Sequence, residues 1–103
     1  MDVRLEQSRT VSTWLTAERG AWQVTVAGAG TRRVLEVHAG LAPALRVDAA
    51  GRDGWRAAGS WTGLGTGGYV VRLELSAGTG PVTVTLAPGE GRFAVSAVTL
   101  RSG

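Results

Sequence analysis

Cysteine is missing from this 103-residue chain, which excludes disulfides, thiol nucleophiles and thiolate metal sites together. Lysine is missing as well, and all 11 basic residues are arginine. The lone histidine, His38, is too little to build a His-based metal site. No apolar run approaches the ~18–20 residues needed to span a bilayer, so no membrane partner is expected. Met1 is followed by Asp2, Arg4 and Glu6 with no apolar stretch behind a basic start. No signal peptide is therefore expected at this N-terminus, and any secretion would belong to a longer protein containing the domain. One strong charge sign is also lacking. The net charge is +3, and the arginines are scattered from Arg4 to Arg101, with Arg32-Arg33 the one adjacent pair. Nucleic-acid binders gather such residues on one element, so no nucleic-acid partner is expected.

What is present is a single domain over residues 1–103, with an ordinary apolar fraction of 44% and room for one core. The arginine-only basic set, with abundant Ala, Gly and Val, matches the codon usage of a GC-rich bacterial genome. Alternation with a period of two dominates. Trp22, Val24 and Val26 share a face in AWQVTVAG. Leu35 and Val37 stand opposite Val34, Glu36 and His38. Leu45 and Val47 oppose Arg46 and Asp48. Tyr69, Val71, Leu73 and Leu75 oppose Val70, Arg72 and Glu74, and Val82, Val84 and Leu86 oppose Thr83 and Thr85. Such strands, apolar on one side and polar on the other, predict antiparallel sheets half-covered by a core.

DVRLEQ, RTVSTWLT and RFAVSAVTLR are further strand candidates. The last is apolar on both faces, as in a central strand, or carries a bulge near Ser96-Ala97. Glycine-bearing turns separate the segments. Residues 16–20 could hold one helical turn at most. About eight strands in this length predict an all-β fold, an antiparallel β-sandwich of the jelly-roll kind. The stretch from Ala49 to Gly68 breaks the rhythm. At ~20 residues it exceeds normal loop lengths, so it either hides a short strand near Trp55–Trp61 or serves as a binding loop.

Within that stretch, GLGTGG places Gly63, Gly65 and Gly68 in the pattern G-x-G-x-x-G. A dinucleotide site needs a helix after the glycines, whose N-terminal amides face the pyrophosphate. Here the strand-like YVVRLEL follows. The kinase and P-loop forms both need a lysine, which this chain does not have. With 16 glycines in the chain, chance matches to such a pattern are expected. No G-x-S-x-G elbow accompanies His38, and the eight acidic residues show no pairing that marks a glycosidase cleft. No enzyme activity and no cofactor are expected. Structural calcium stays open: Glu6, Glu18, Asp48 and Asp53 supply the oxygen ligands it prefers, although no D-x-D-x-D loop gathers them.

The four tryptophans are the most informative side chains. Trp22 keeps step with Val24 and Val26 and reads as core. Trp14 either packs across a hairpin from Trp22 or lies on a sheet face. Trp55 and Trp61 sit among Asp53, Arg56, Ser60 and Thr62. An aromatic face suits the C–H side of a sugar ring while polar neighbours bond its hydroxyls. The competing reading caps the end of the core with these rings, and it is favoured for Trp61.

From Thr10 to Arg101 the order GAWQVTVAGAGTRRVLEVHAG, ALRVDAAGRD, GGYVVRLEL, PVTVTLAP and AVSAVTL resembles β-sandwich accessory modules of secreted bacterial carbohydrate-active proteins. The final segments are similar to galactose-binding-like carbohydrate-binding modules. The corner His38-Ala39-Gly40 lacks the tyrosine-valine pair usual in the β-sandwich accessory modules, and Ser96 stands where many sugar-binding relatives carry an aspartate. The resemblance implies a non-catalytic module that holds a polysaccharide or glycan, secreted or at the cell surface as part of a larger protein. Its alternative is a structural spacer packed on a neighbouring catalytic domain without binding sugar. The expected ligand-binding residues are Trp55, Trp61, Arg56 and Asp53.

Overall fold

The computed structural model describes residues 3–8 and 16–18 by their backbone, and 20–41, 43–51, 54, 56–64, 67–78, 80–89 and 93–102 with their side chains. These residues form nine strands: β1 (Val3–Ser8), β2 (Thr16–Glu18), β3 (Trp22–Val26), β4 (Arg33–Gly40), β5 (Leu45–Gly51), β6 (Arg56–Trp61), β7 (Gly68–Leu75), β8 (Val82–Pro88) and β9 (Phe93–Ser102). The protein is all-β, with no helix among the described residues. Within residues 16–20, which could hold one helical turn at most, Thr16–Glu18 form the strand β2. Most of RTVSTWLT, including Trp14, lies outside the described residues.

The strands build two antiparallel sheets, one in the order β1-β7-β4-β9-β2 and the other β3-β8-β5-β6. The pairing is nested. The inner hairpin joins β5 to β6, and around it β4 pairs with β7, β3 with β8, and β2 with β9. The pairs β4–β9 and β5–β8 then stitch successive layers into sheets.

Alternation explains which way each strand faces. On β7, Tyr69, Val71, Leu73 and Leu75 are buried while Val70, Arg72 and Glu74 are only half-buried. On β8, Val82, Val84 and Leu86 are buried and Thr83 and Thr85 lie on the other side. Leu35, Val37, Phe93 and Val95 from the five-stranded sheet meet Leu45, Val47 and Val26 from the four-stranded one in a single apolar cluster. Each large side chain fully buried there contributes about 1.5–3 kcal/mol of transfer free energy. Trp22 and Val24 pack against the cluster from β3, which is the core role that their spacing suggests.

Two departures from simple alternation have local causes. Val34, on the outer face of the central strand β4, is nevertheless buried; its neighbours in register are the long side chains of Glu74 and Arg101. On β9, His38 pairs with Ala97 but Ala39 pairs with Val95, so Ser96 is the extra residue of a β-bulge. Ser96 Oγ then donates to the His38 carbonyl at 3.3 Å. A bulge reverses the facing of the chain beyond it. β9 is also a central strand between β4 and β2 at its Phe93 end, so both expectations for RFAVSAVTLR meet in one strand.

Candidate functional site

The outer face of the four-stranded sheet is built from every second residue of its strands. Register fixes two neighbouring ranks across it: Gln23, Thr85, Asp48 and Ala58, then Thr25, Thr83, Ala50 and Arg56. A third rank brings Ala87, Arg46 and Ser60 into line. Gln23 Nε2 donates to Thr85 Oγ1 at 3.2 Å, and the hydroxyls of Thr25 and Thr83 bond to each other at 3.3 Å. These threonines are β-branched and extend the sheet well, and their hydroxyls keep this half of the face polar.

Over β5 and β6 the same face is hollowed. A depression of about 580 Å³ is lined by Arg46, Asp48, Ala50, Arg56 and Ala58. A smaller one of about 310 Å³ continues it past Arg46 and Ala58 to Ser60. The floor is low because Ala50 and Ala58 carry only a methyl group, while arginines stand at either end. Arg46 Nε donates to Asp48 Oδ2 at 3.1 Å, an ion pair between two exposed side chains. Arg56 is exposed at the start of β6.

The residues expected from sequence to form one site do not all come together. Arg56 and Trp61 are five positions apart on one strand, an odd separation that puts them on opposite faces. They also stand at opposite ends of β6, about 17 Å apart along it. Trp61 pairs in register with buried Leu45, faces the core and packs against the apolar cluster. Its ring lies over Gly59, close enough that a Cβ there would be 2.9 Å from Cζ2. Asp53 and Trp55 lie outside the described residues. Arg56 is thus the expected ligand-binding residue that lines the groove; Ser60 joins it from the polar neighbours noted beside Trp61, and Arg46, Asp48 and Ala58 are lining residues that the expected ligand set lacks. The sequence carries a signal for two of them: Arg46 and Asp48 form the polar face of their strand, opposite Leu45 and Val47.

The glycine motif has a structural role. Gly63 has φ +68°, in the left-handed region, where glycine pays no Cβ penalty. The turn delivers Leu64 against the core, and the Leu64 amide donates to the Pro43 carbonyl at 2.8 Å. The strand β7 begins at Gly68, the last glycine of the motif, and no helix among the described residues faces a phosphate there.

Of the residues named for calcium, Glu6, Glu18 and Asp48 stand on strands that do not meet, and Asp53 lies outside the described residues. Glu6 and Glu18 belong to β1 and β2, the opposite edges of the five-stranded sheet, about 19 Å apart at the usual strand spacing. Asp48 is in the other sheet and is tied to Arg46. Among the described residues no three His, Asp or Glu side chains gather as a metal site.

Elsewhere, the outer face of the five-stranded sheet is bound up in ion pairs. Glu36 accepts from Arg101 at 3.0 Å and faces Arg72 at 3.5 Å, and Arg32 donates to Glu74 at 3.0 Å. No protein-family model matches the chain. None of the curated proteins compared with it matches either.

Proposed function

We propose that the chain is a non-catalytic carbohydrate-binding module with a jelly-roll sandwich fold, working within a larger secreted or cell-surface bacterial protein. The strand order supports the fold reading. With β1 set aside, β7-β4-β9-β2 and β3-β8-β5-β6 follow the wrapping of a jelly roll into two four-stranded sheets.

The observation that carries the functional reading is the groove over β5 and β6. Its alanine floor lets a flat, extended ligand approach the sheet, and Arg46, Asp48, Arg56 and Ser60 offer donors and acceptors around it. Sugar hydroxyls are met by such groups, and an open groove of this kind gives weak binding, about 1 mM to 1 µM. The non-catalytic reading rests on the lining: among the described residues Asp48 is its one carboxylate, and that group is paired with Arg46. Hydrolysis of a glycosidic bond would need two carboxyl groups flanking the bond.

A second reading, a spacer that packs on a neighbouring domain, is favoured by one feature. No aromatic ring lines the groove among the described residues. Titration calorimetry of the whole chain against a panel of plant, fungal and bacterial polysaccharides separates the two. Binding that is lost in Ala58→Trp, which fills the groove from its exposed floor, supports the module. Absence of binding across the panel supports the spacer. Binding that survives Ala58→Trp places the site elsewhere.

A further inference from the structure

We propose that the groove selects carboxylated polysaccharides, chains that carry uronic acid residues, through Arg56 and Arg46. This deepens the carbohydrate-binding reading above and rests on it.

The inference starts from how the protein uses the other arginines among the described residues. Arg32 is held by Glu74, Arg72 and Arg101 by Glu36, Arg46 by Asp48, and buried Arg33 by the Ala27 carbonyl. Arg56 breaks this habit: among the described residues no acceptor meets it, and it is exposed at the groove. Arg46 meets Asp48 through Nε, which leaves its two terminal nitrogens for another acceptor. A guanidinium presents its N–H groups as a planar fork that matches a carboxylate in two parallel hydrogen bonds. Among the described residues the groove therefore holds two cationic forks and one carboxylate already engaged.

Their placement suits an extended chain. Arg56 pairs in register with Ala50, four residues along β5 from Arg46. Their Cα atoms are thus about 14 Å apart, from about 13 Å along the strand and about 4.8 Å across. Between them lie Ala50, Asp48 and Ala58, a low floor over which a saccharide chain can run from one arginine to the other. The rest of the face is neutral: Gln23, Thr25, Thr83, Thr85 and Ser60 present amide and hydroxyl groups. Neutral hydrogen-bonding groups beside separated cations complement a ligand with many hydroxyls and spaced carboxylates. An acidic peptide would instead call for pockets for its side chains, and the described floor between the two arginines is Ala50, Asp48 and Ala58.

The test is calorimetric titration of the whole chain with polygalacturonate, its fully methyl-esterified form, neutral galactan and poly-glutamate. Polygalacturonate is expected to bind, with affinity reduced about tenfold or more by esterification, since a hydrogen bond to a charged group is worth about that factor. Arg56→Gln and Arg46→Gln are each expected to weaken polygalacturonate binding about tenfold or more and to weaken the binding of galactan less, since glutamine still bonds a hydroxyl but cannot pair with a carboxylate. Thermal midpoints near that of the unaltered protein would show that both variants are folded. Equal affinity for esterified and free polymer would overturn the charge selectivity while leaving a carbohydrate groove. Absence of binding to every saccharide would overturn the carbohydrate reading itself. Poly-glutamate binding as tightly as polygalacturonate would overturn the inference in favour of an acidic peptide.

Discussion

Replacing Gly59 with alanine tests the packing that separates Trp61 from the groove. The glycine backbone is in a region open to any residue, so the added methyl is not strained by φ. It would, however, overlap Trp61 Cη2 and stand 2.9 Å from Cζ2 and 3.0 Å from Cζ3. The ring must then leave its place on the inner side of β6. An aromatic side chain buries about 200 Å², worth about 5 kcal/mol at 25 cal/mol per Å². Because Trp61 is half-buried, the loss on displacement is about 2 kcal/mol by the same scale. Alanine in place of a strand glycine returns about 0.5–1 kcal/mol. The expected net cost is about 1–2 kcal/mol, a fall of about 4–16 °C in the melting midpoint for a domain of this size. Urea unfolding followed by tryptophan emission measures it, with a red shift of the native spectrum as the ring enters water. In a Trp61→Ala background the same substitution should be neutral or stabilising. A cost that is equal in both backgrounds would refute the contact and return Trp61 to the list of candidate ligand residues.

Three other substitutions probe the frame. Arg33 is 8% exposed, and its Nε and Nη2 have no acceptor among the described residues; Arg33→Met should raise stability by about 1–3 kcal/mol in urea unfolding, as apolar replacements of poorly satisfied buried charge do. Leu41 has φ +68° and a side chain 42% exposed. Leu41→Gly relieves the left-handed strain and should gain about 0.5–1 kcal/mol, seen as a higher melting midpoint. Glu36 is the shared partner of Arg72 and Arg101; Glu36→Ala should cost about 1–2 kcal/mol in urea unfolding because the pair with Arg72 is partly sheltered, and stability should become less sensitive to salt because the exposed pair with Arg101 is lost with it.

Strand positions were readable wherever one face is strongly apolar, as in β7 and β8. There, alternating burial leaves one register that hides Leu73, Leu75, Val82 and Val84, and a one-residue slip would expose all of them. β6 was harder to see because RAAGSW carries no such contrast. Its inner positions are Ala57, Gly59 and Trp61, small residues that make room for one large ring. That same hidden strand upset the expected site. Residues close in sequence become neighbours in space within a loop, but a strand sends Arg56 and Trp61 to different faces. The groove was beyond sequence reasoning for a related reason. Arg46 and Asp48 are adjacent polar positions on one strand, and only the register β5–β6 sets Ala58 and Ser60 beside them. Ser96 was visible as an irregularity, because β9 changes which of its faces is apolar at that point.

The nested pairing bears on how the chain reaches this structure. β5 and β6 need only a short connection, whereas Gln23 and Thr85 are 62 positions apart before they meet. Closing so long a loop first would be entropically costly, but once β5 has found β6, β4 and β7 are already neighbours. Each completed pair shortens the effective loop of the next, so assembly proceeds outward like a closing zip, from β5–β6 towards β2–β9. Domains dominated by distant pairings fold on the millisecond-to-second scale. The strands carrying the groove are then the first to be assembled, and the groove floor is in place before the outermost strand is laid down.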